Sequence, residues 1–223
     1  MPDHTIDLPG LLGARICHDL ISPVGAIGNG IELLALSGNL DGPERDLVSD
    51  STANANARLQ LFRLVFGRID ATSELAYTAP QISALLSAYF KDSDLEIDWQ
   101  SESILNRPLI QSILLTILCL ETVIGRSGKI VVQNSLTGWQ LSASAIRGLQ
   151  STELLHLLNG NQAWPKNLTP AQVQFPLARR AYCLTGLSPQ AEVRGSQVSV
   201  TLMPTNTRAA ANFEPSRRLL QDT

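Results

Sequence analysis

Lysine is scarce in this sequence. Lys91, Lys129 and Lys166 are the only ones among 17 basic residues, which face 20 acidic ones for a net charge of −3. No basic stripe forms that could neutralise a phosphate backbone, so nucleic acid is not an expected partner. Cysteine is equally sparse: Cys17, Cys119 and Cys183 are odd in number, far apart and without a CxxC pair. That spacing argues against a disulfide framework and against a zinc site, and reduced thiols fit the cytoplasm. Long apolar runs are missing too. The longest, Ile113 to Leu120 with Thr116 inside it, falls well short of the roughly 20 residues that cross a bilayer, so no membrane span is expected. Met1-Pro2-Asp3-His4 offers no basic region and no apolar core before a small-residue cleavage site, so export is not signalled and a cytoplasmic protein is expected. What the chain has is 44% hydrophobic residues over 223 positions, material for one large domain or two small ones with a true core.

Residues 8–37 hold one proline and a sustained helical period: Leu12, Ile16, Leu20, Val24, Ile27, Ile31 and Leu34 recur at steps of three and four. Ser37 to Pro43 breaks this pattern, and Asp41 with Glu44 has the form of a capping box around a first-turn proline. A second helix is predicted from there, with a stripe of Val48, Ala55, Leu59, Phe62, Phe66 and Ile69, giving two antiparallel helices of equal length. Such a hairpin cannot enclose its own stripes and needs a further layer. A second copy would supply it as a two-fold dimeric four-helix bundle; the downstream domain covering the groove is the alternative.

The texture changes after Asp70, which predicts a hairpin domain over 1–74, a second domain over 75–204 and a fraying tail over 205–223. In the second domain the spacing predicts helices over 80–90 and 107–125, a strand over 95–99, and strands over 129–133 and 138–145 joined by a short connection. Helical segments follow over 154–158 and 170–187, then a hairpin of 191–194 with 197–203 around Gly195-Ser196. The fold class is α+β: an antiparallel helical hairpin followed by an α/β sandwich.

The chemistry concentrates in His18-Asp19-Leu20-Ile21-Ser22-Pro23. At about 100° per residue His18 falls opposite the apolar stripe and points away from the bundle. Arg15, Ser22, Gly25 and Asn29 share its face, mostly small side chains that let another protein approach. Pro23 removes a backbone bond inside a long helix and is expected to kink it one turn past His18. Of the other histidines, His4 lies at a mobile end and His156 among leucines, where partial burial is expected. An exposed His, an adjacent carboxylate and a proline five residues on, within a helical hairpin, resemble the H-[ED]-L-x-x-P phospho-acceptor box of histidine kinase dimerisation domains.

In kinases that hairpin precedes an ATP-binding sandwich of the Bergerat type, and the predicted order of elements here has a similar layout. The nucleotide motifs differ. Thr116 and Leu120 stand where the magnesium-holding asparagines would be, and Ala143 to Leu149 stands where D-x-G-x-G would be, without its Asp or paired glycines. A phospho-acceptor hairpin joined to such a domain resembles the ChpT-type histidine phosphotransferases. The segment Leu12-x-x-Arg15-x-Cys17-His18-Asp19-Leu20-x-Ser22-Pro23-Val24-Gly25-Ala26-Ile27-x-Asn29-Gly30-x-Glu32-Leu33 is similar to that family's first helix. The resemblance implies a homodimer that takes a phosphoryl group from a receiver domain of a hybrid histidine kinase and passes it to another response regulator. An active kinase with diverged motifs and a non-catalytic receiver-binding adaptor are the competing readings.

His18 suits the implied task because a neutral imidazole is a nitrogen nucleophile near neutral pH. Magnesium is expected in the partner receiver's acidic pocket, so no cofactor or metal is assigned to this chain. Asp19 would orient the imidazole or meet a partner's basic residue, or simply be a solvated charge. Arg15 would approach the phosphoryl oxygens or only add solubility, and Ser22 and Gly25 would act by being small.

Overall fold

The computed structural model describes residues 6–37, 42–68, 76–135, 137–160 and 162–205. The predicted boundary near residue 74, the tail beyond 205, His4 and Asp41 fall outside them. Helical period over residues 8–37 yields one continuous helix, α1 (Leu8–Ser37), which runs through Pro23. The second helix, α2 (Pro43–Val65), has 23 residues against 30 in α1, so the two are not of equal length. Its N-cap is Gly42 in extended backbone rather than the expected Asp41 box, with Pro43 in the first turn and Glu44 and Asp46 placing negative charge beside it. The helices pack tightly at Gly30, where a β-carbon would lie 2.6 Å from Val48 Cγ2.

The remaining elements are β1 (Ala76–Tyr77), α3 (Ala79–Phe90), β2 (Asp94–Trp99), β3 (Leu105–Asn106), α4 (Arg107–Ile124), β4 (Ser127–Ser135) and β5 (Gly138–Ala145). They continue with α5 (Thr152–His156), short 3-10 turns at Leu157–Asn159 and Pro170–Gln172, α6 (Gln174–Thr185), β6 (Leu187–Arg194) and β7 (Gln197–Pro204). The sheet order is β2-β4-β5-β7-β6, with β2 and β4 parallel and every other pair antiparallel. A parallel pair needs a crossover, and α4 supplies it. Period-two burial sends Ile130, Val132, Trp139, Leu141, Val198, Val200 and Leu202 to the helical layer. Lys129, Gln140, Ser142 and Ser199 line the opposite, water-facing side.

Three local expectations change. The predicted helix over 170–187 is a 3-10 turn followed by α6, which stops at Gly186; its φ of 66° ends the helix and lets Leu187 begin β6. The two-residue strands β1 and β3, which pair with each other, are too short to leave a period. Expected absence of a span needs restating as well: α1 and α4 are both long and apolar enough to cross a membrane. In α4 that apolar surface is the core, with 83% of its most apolar window buried, while in α1 only 11% is.

The hairpin sits on the sandwich through the end of α2. Leu61, Phe62, Leu64 and Val65 join Ile82, Leu86, Tyr89 and Phe90 of α3 and the buried face of α4 in one cluster. Carbonyls left open at the end of α2 are taken up from α4: Arg107 Nη2 donates to Arg63 O at 2.9 Å, and Gln111 Nε2 to Val65 O at 2.7 Å and Gly67 O at 3.0 Å. Apolar packing and these bonds fix how α1, carried by α2, meets the second domain.

Candidate functional site around His18

On α1 the residues turned inward are Pro23 and Gly30, fully buried, with Ile16, Leu20, Ile27 and Leu34 half-buried beside them. His18 lies across the helix from that line, and its side chain is 84% exposed. Its Nδ1 is 3.0 Å from Asp19 Oδ1. With a proton on Nδ1, that nitrogen donates to the carboxylate and Nε2 keeps its lone pair toward water. A partner bringing an electrophile would therefore meet Nε2.

Asp19 is not a solvated charge. One residue along the helix it turns 100° toward the second domain, and its side chain is 9% exposed. Arg15, one turn earlier, is 14% exposed and brings Nε to 2.7 Å from Asp19 Oδ2. The contact is an ion pair off the line of a good hydrogen bond. The expectation that Arg15 shares the open face with His18 is thereby corrected: its side chain is turned under, into a cleft that it lines together with Tyr89 of α3. Pro23, expected from the sequence to dock a receiver together with Arg15, Ser22, Gly25 and Asn29, is corrected in the same way. Seven residues before Gly30 and on the same face, it is buried toward α2 and is unavailable for docking. Ser22, Gly25 and Asn29 remain exposed around His18 as expected. A β-carbon on Gly25 would meet nothing within 4 Å, so the space beside the imidazole is open.

Beneath His18 runs a cleft of about 260 Å³ lined by Arg15, Asp19, Arg58, Tyr89, Glu121 and Arg126 among others. It joins α1, α2, α3 and the end of α4, and the last four of these residues had no signal in the box itself. Glu121 could have been noticed as the only carboxylate in α4. Burial raises its carboxyl above the ordinary range, with Arg15 and Arg126 pulling the other way. Burial, then the charge of Glu121, pushes the Tyr89 hydroxyl far up, so it is neutral at any ordinary pH. Burial works against the charge of Arg15, but Asp19, Tyr89 and Glu121 together raise its pKa. Arg58 lies over the Tyr89 ring at 5.6 Å.

Of the positions compared with kinase nucleotide motifs, the two on α4 are closed, while Ile146 in the 143–149 segment is exposed. Thr116 and Leu120 are completely buried. Thr116 Oγ1 donates to Ser112 O at 2.8 Å and lies 2.6 Å from the Tyr182 hydroxyl of α6, which packs across α4. His156, expected to be partly buried, is exposed at the end of α5, because the leucines flanking it take the inward positions. Among the described residues no three His, Cys, Asp or Glu side chains converge as metal ligands.

Comparison with known proteins adds to this geometry. A sequence model of the histidine phosphotransferase C-terminal domain matches residues 79–197. Over 129 residues the chain is 36% identical to protein phosphotransferase ChpT of Brucella abortus (strain 2308); the match covers 57% of this chain and 61% of that protein, under two thirds of its length. A solved structure of a bacterial phosphotransferase is similar with a TM-score of 0.68 and 25% identity, over 88% of this chain and 95% of the other.

Proposed function

Because the chain belongs to the histidine phosphotransferase family, we propose that it relays a phosphoryl group between receiver-domain aspartates through a phosphohistidine on His18. The observation that carries this reading is the imidazole itself, exposed on a rigid helix with Nδ1 held by Asp19 and Nε2 free. In the forward step the Nε2 lone pair attacks the phosphorus of a receiver's aspartyl phosphate. The N–P bond forms as the P–O bond breaks, and the aspartate leaves as a carboxylate. The ring keeps its Nδ1 proton and gains positive charge, which the Asp19 carboxylate offsets. Attack on N–P by a second receiver's aspartate runs the same steps in reverse. Magnesium needed to screen the phosphoryl oxygens belongs, in this reading, to the receiver.

Ser22, Gly25 and Asn29 form the approach to His18 for the receiver, and their small size keeps the nucleophile within reach. The second half of the assembly is a second copy of this chain. Ile21 and Val24 are 73% and 57% exposed, and Ile31 and Leu59 are exposed with them, outside the cluster that joins the hairpin to the sandwich. The downstream domain packs on Ile16 and Leu20 and leaves that stripe open, which supports a dimeric four-helix bundle over a covered groove. Three free cysteines are compatible with assigning the relay to the cytoplasm.

No nucleotide is required, and none is expected to bind. Admitting Mg-ATP at Thr116 and Leu120 would displace Tyr182 from a packed core. Isothermal titration with Mg-ATP should give no heat of binding up to millimolar concentration; submillimolar binding would favour a kinase.

A further inference from the structure

Resting on the relay reading, we infer that Tyr89 and Glu121 of the second domain are positioning residues for His18, acting through Arg15 and Asp19. The links are on one line. Arg15 lines one cleft with Tyr89 and pairs with Asp19 at 2.7 Å, and Asp19 holds His18 Nδ1 at 3.0 Å. Glu121 lines the same cleft. Arg15 could otherwise follow α1 out into water; in the cleft the Tyr89 hydroxyl from α3 and the Glu121 carboxylate from α4 favour its inward position, which brings its Nε to Asp19 Oδ2. Asp19, anchored through Oδ2, then presents Oδ1 to the imidazole. A domain with Thr116 and Leu120 closed in its core thus keeps a chemical task, to fix which ring nitrogen carries the proton.

The charges around this line come from every packed element: His18, Asp19 and Arg15 on α1, Arg58 on α2, Tyr89 on α3, Glu121 on α4 and Arg126 just after it. Three arginines face two carboxylates. Removing the charge of Glu121, or the hydroxyl of Tyr89, frees the Arg15 head group and lets the Asp19 carboxylate rotate. The imidazole then reverts toward the Nε2-protonated tautomer that an unconstrained histidine prefers, and Nε2 loses its lone pair to that proton.

A purely structural role makes a different forecast, because burial raises the Glu121 carboxyl. Its charged form is the one the fold disfavours. The fold therefore loses stability as pH rises from the ordinary carboxylate range through the raised value. Glu121→Gln should melt no lower than the wild type at pH 8, and the difference should vanish toward pH 4, while its chemistry suffers.

The test uses the full chain labelled with ¹⁵N. Long-range ¹H–¹⁵N correlations at pH 8 read the His18 tautomer, with His18→Gln assigning its signals, and phosphoryl uptake from a phosphorylated receiver domain is timed in parallel. Wild type is expected mainly in the Nδ1–H form. Glu121→Gln and, independently, Tyr89→Phe should each move the population toward Nε2–H and slow uptake about tenfold, with melting unimpaired in the glutamine variant. If both variants fold and keep the wild-type tautomer, the inference is overturned, whatever their rates. A tautomer shift in the variants together with a wild type that takes up no phosphoryl group would uphold the positioning and overturn the relay instead.

Discussion

Replacing His18 with glutamine is expected to abolish relay from a phosphorylated donor receiver to an acceptor receiver. No other side chain on the exposed face of α1 offers a nitrogen nucleophile: its neighbours there are Ser22, Gly25 and Asn29. A hydroxyl or amide would not form a phosphoramidate of high transfer potential, so the loss should exceed ~10³-fold. Since the side chain is 84% exposed, stability should change by no more than about 0.5 kcal/mol. Asp19→Asn makes the informative contrast. It keeps the nucleophile but removes the charge that offsets the phosphorylated ring, so transfer should slow by about 10²-fold and persist. Following label on both receivers and on this chain separates the two variants. Undiminished relay by His18→Gln would leave an adaptor as the better account.

The second large effect is expected at Val24. This side chain is more than half exposed in the single chain, so Val24→Asp should fold normally. In the proposed dimer the stripe faces its own copy, and two-fold symmetry introduces the new charge twice in one apolar seam. Burying an unpaired carboxylate costs several kcal/mol, and two of them should raise the dimer dissociation constant by more than ~10³-fold. Light scattering should report a dimer for wild type and a monomer for the variant at micromolar concentration. Leu59→Asp should behave alike. Phe62, although on the same predicted stripe, is unsuitable as a probe: it is buried within the chain, 5.3 Å from the Phe66 ring and edge-on to Tyr89, so a charge there would unfold the chain. A monomeric wild type at these concentrations would remove the bundle from the account.

Long periods made some of this legible in advance. Seven apolar positions over thirty residues specify α1 and the outward direction of His18, but not its inward face, which centres on Pro23 and Gly30 while Val24 and Ile31 of the stripe stay exposed in the single chain. For α4, dense apolar sequence between Asn106, whose side chain accepts from Leu109 N at 3.0 Å, and Gly125 fixes both ends. Short elements such as β1 and β3 have no period to detect, and Leu187 fits a helical stripe until the left-handed Gly186 stops it. The site divides in the same way. The exposure of His18 follows from one helix. The burial of Asp19 and the inward turn of Arg15 do not, because they are set by Tyr89 and Glu121, which the chain brings back only after dozens of residues. A lone carboxylate in an otherwise apolar helix was the available sign that α4 meets charge at its end.

The central claim is that a phosphoryl group comes to rest on His18 Nε2. The direct measurement is to mix the full chain with a phosphorylated receiver domain, quench at alkaline pH and map the modified residue by mass spectrometry. Acid-labile phosphate on the peptide containing His18, assigned to Nε2 by its phosphorus–nitrogen coupling, is the expected result. Phosphate on another residue, or loss of the receiver's phosphate without its appearance on this chain, would contradict it.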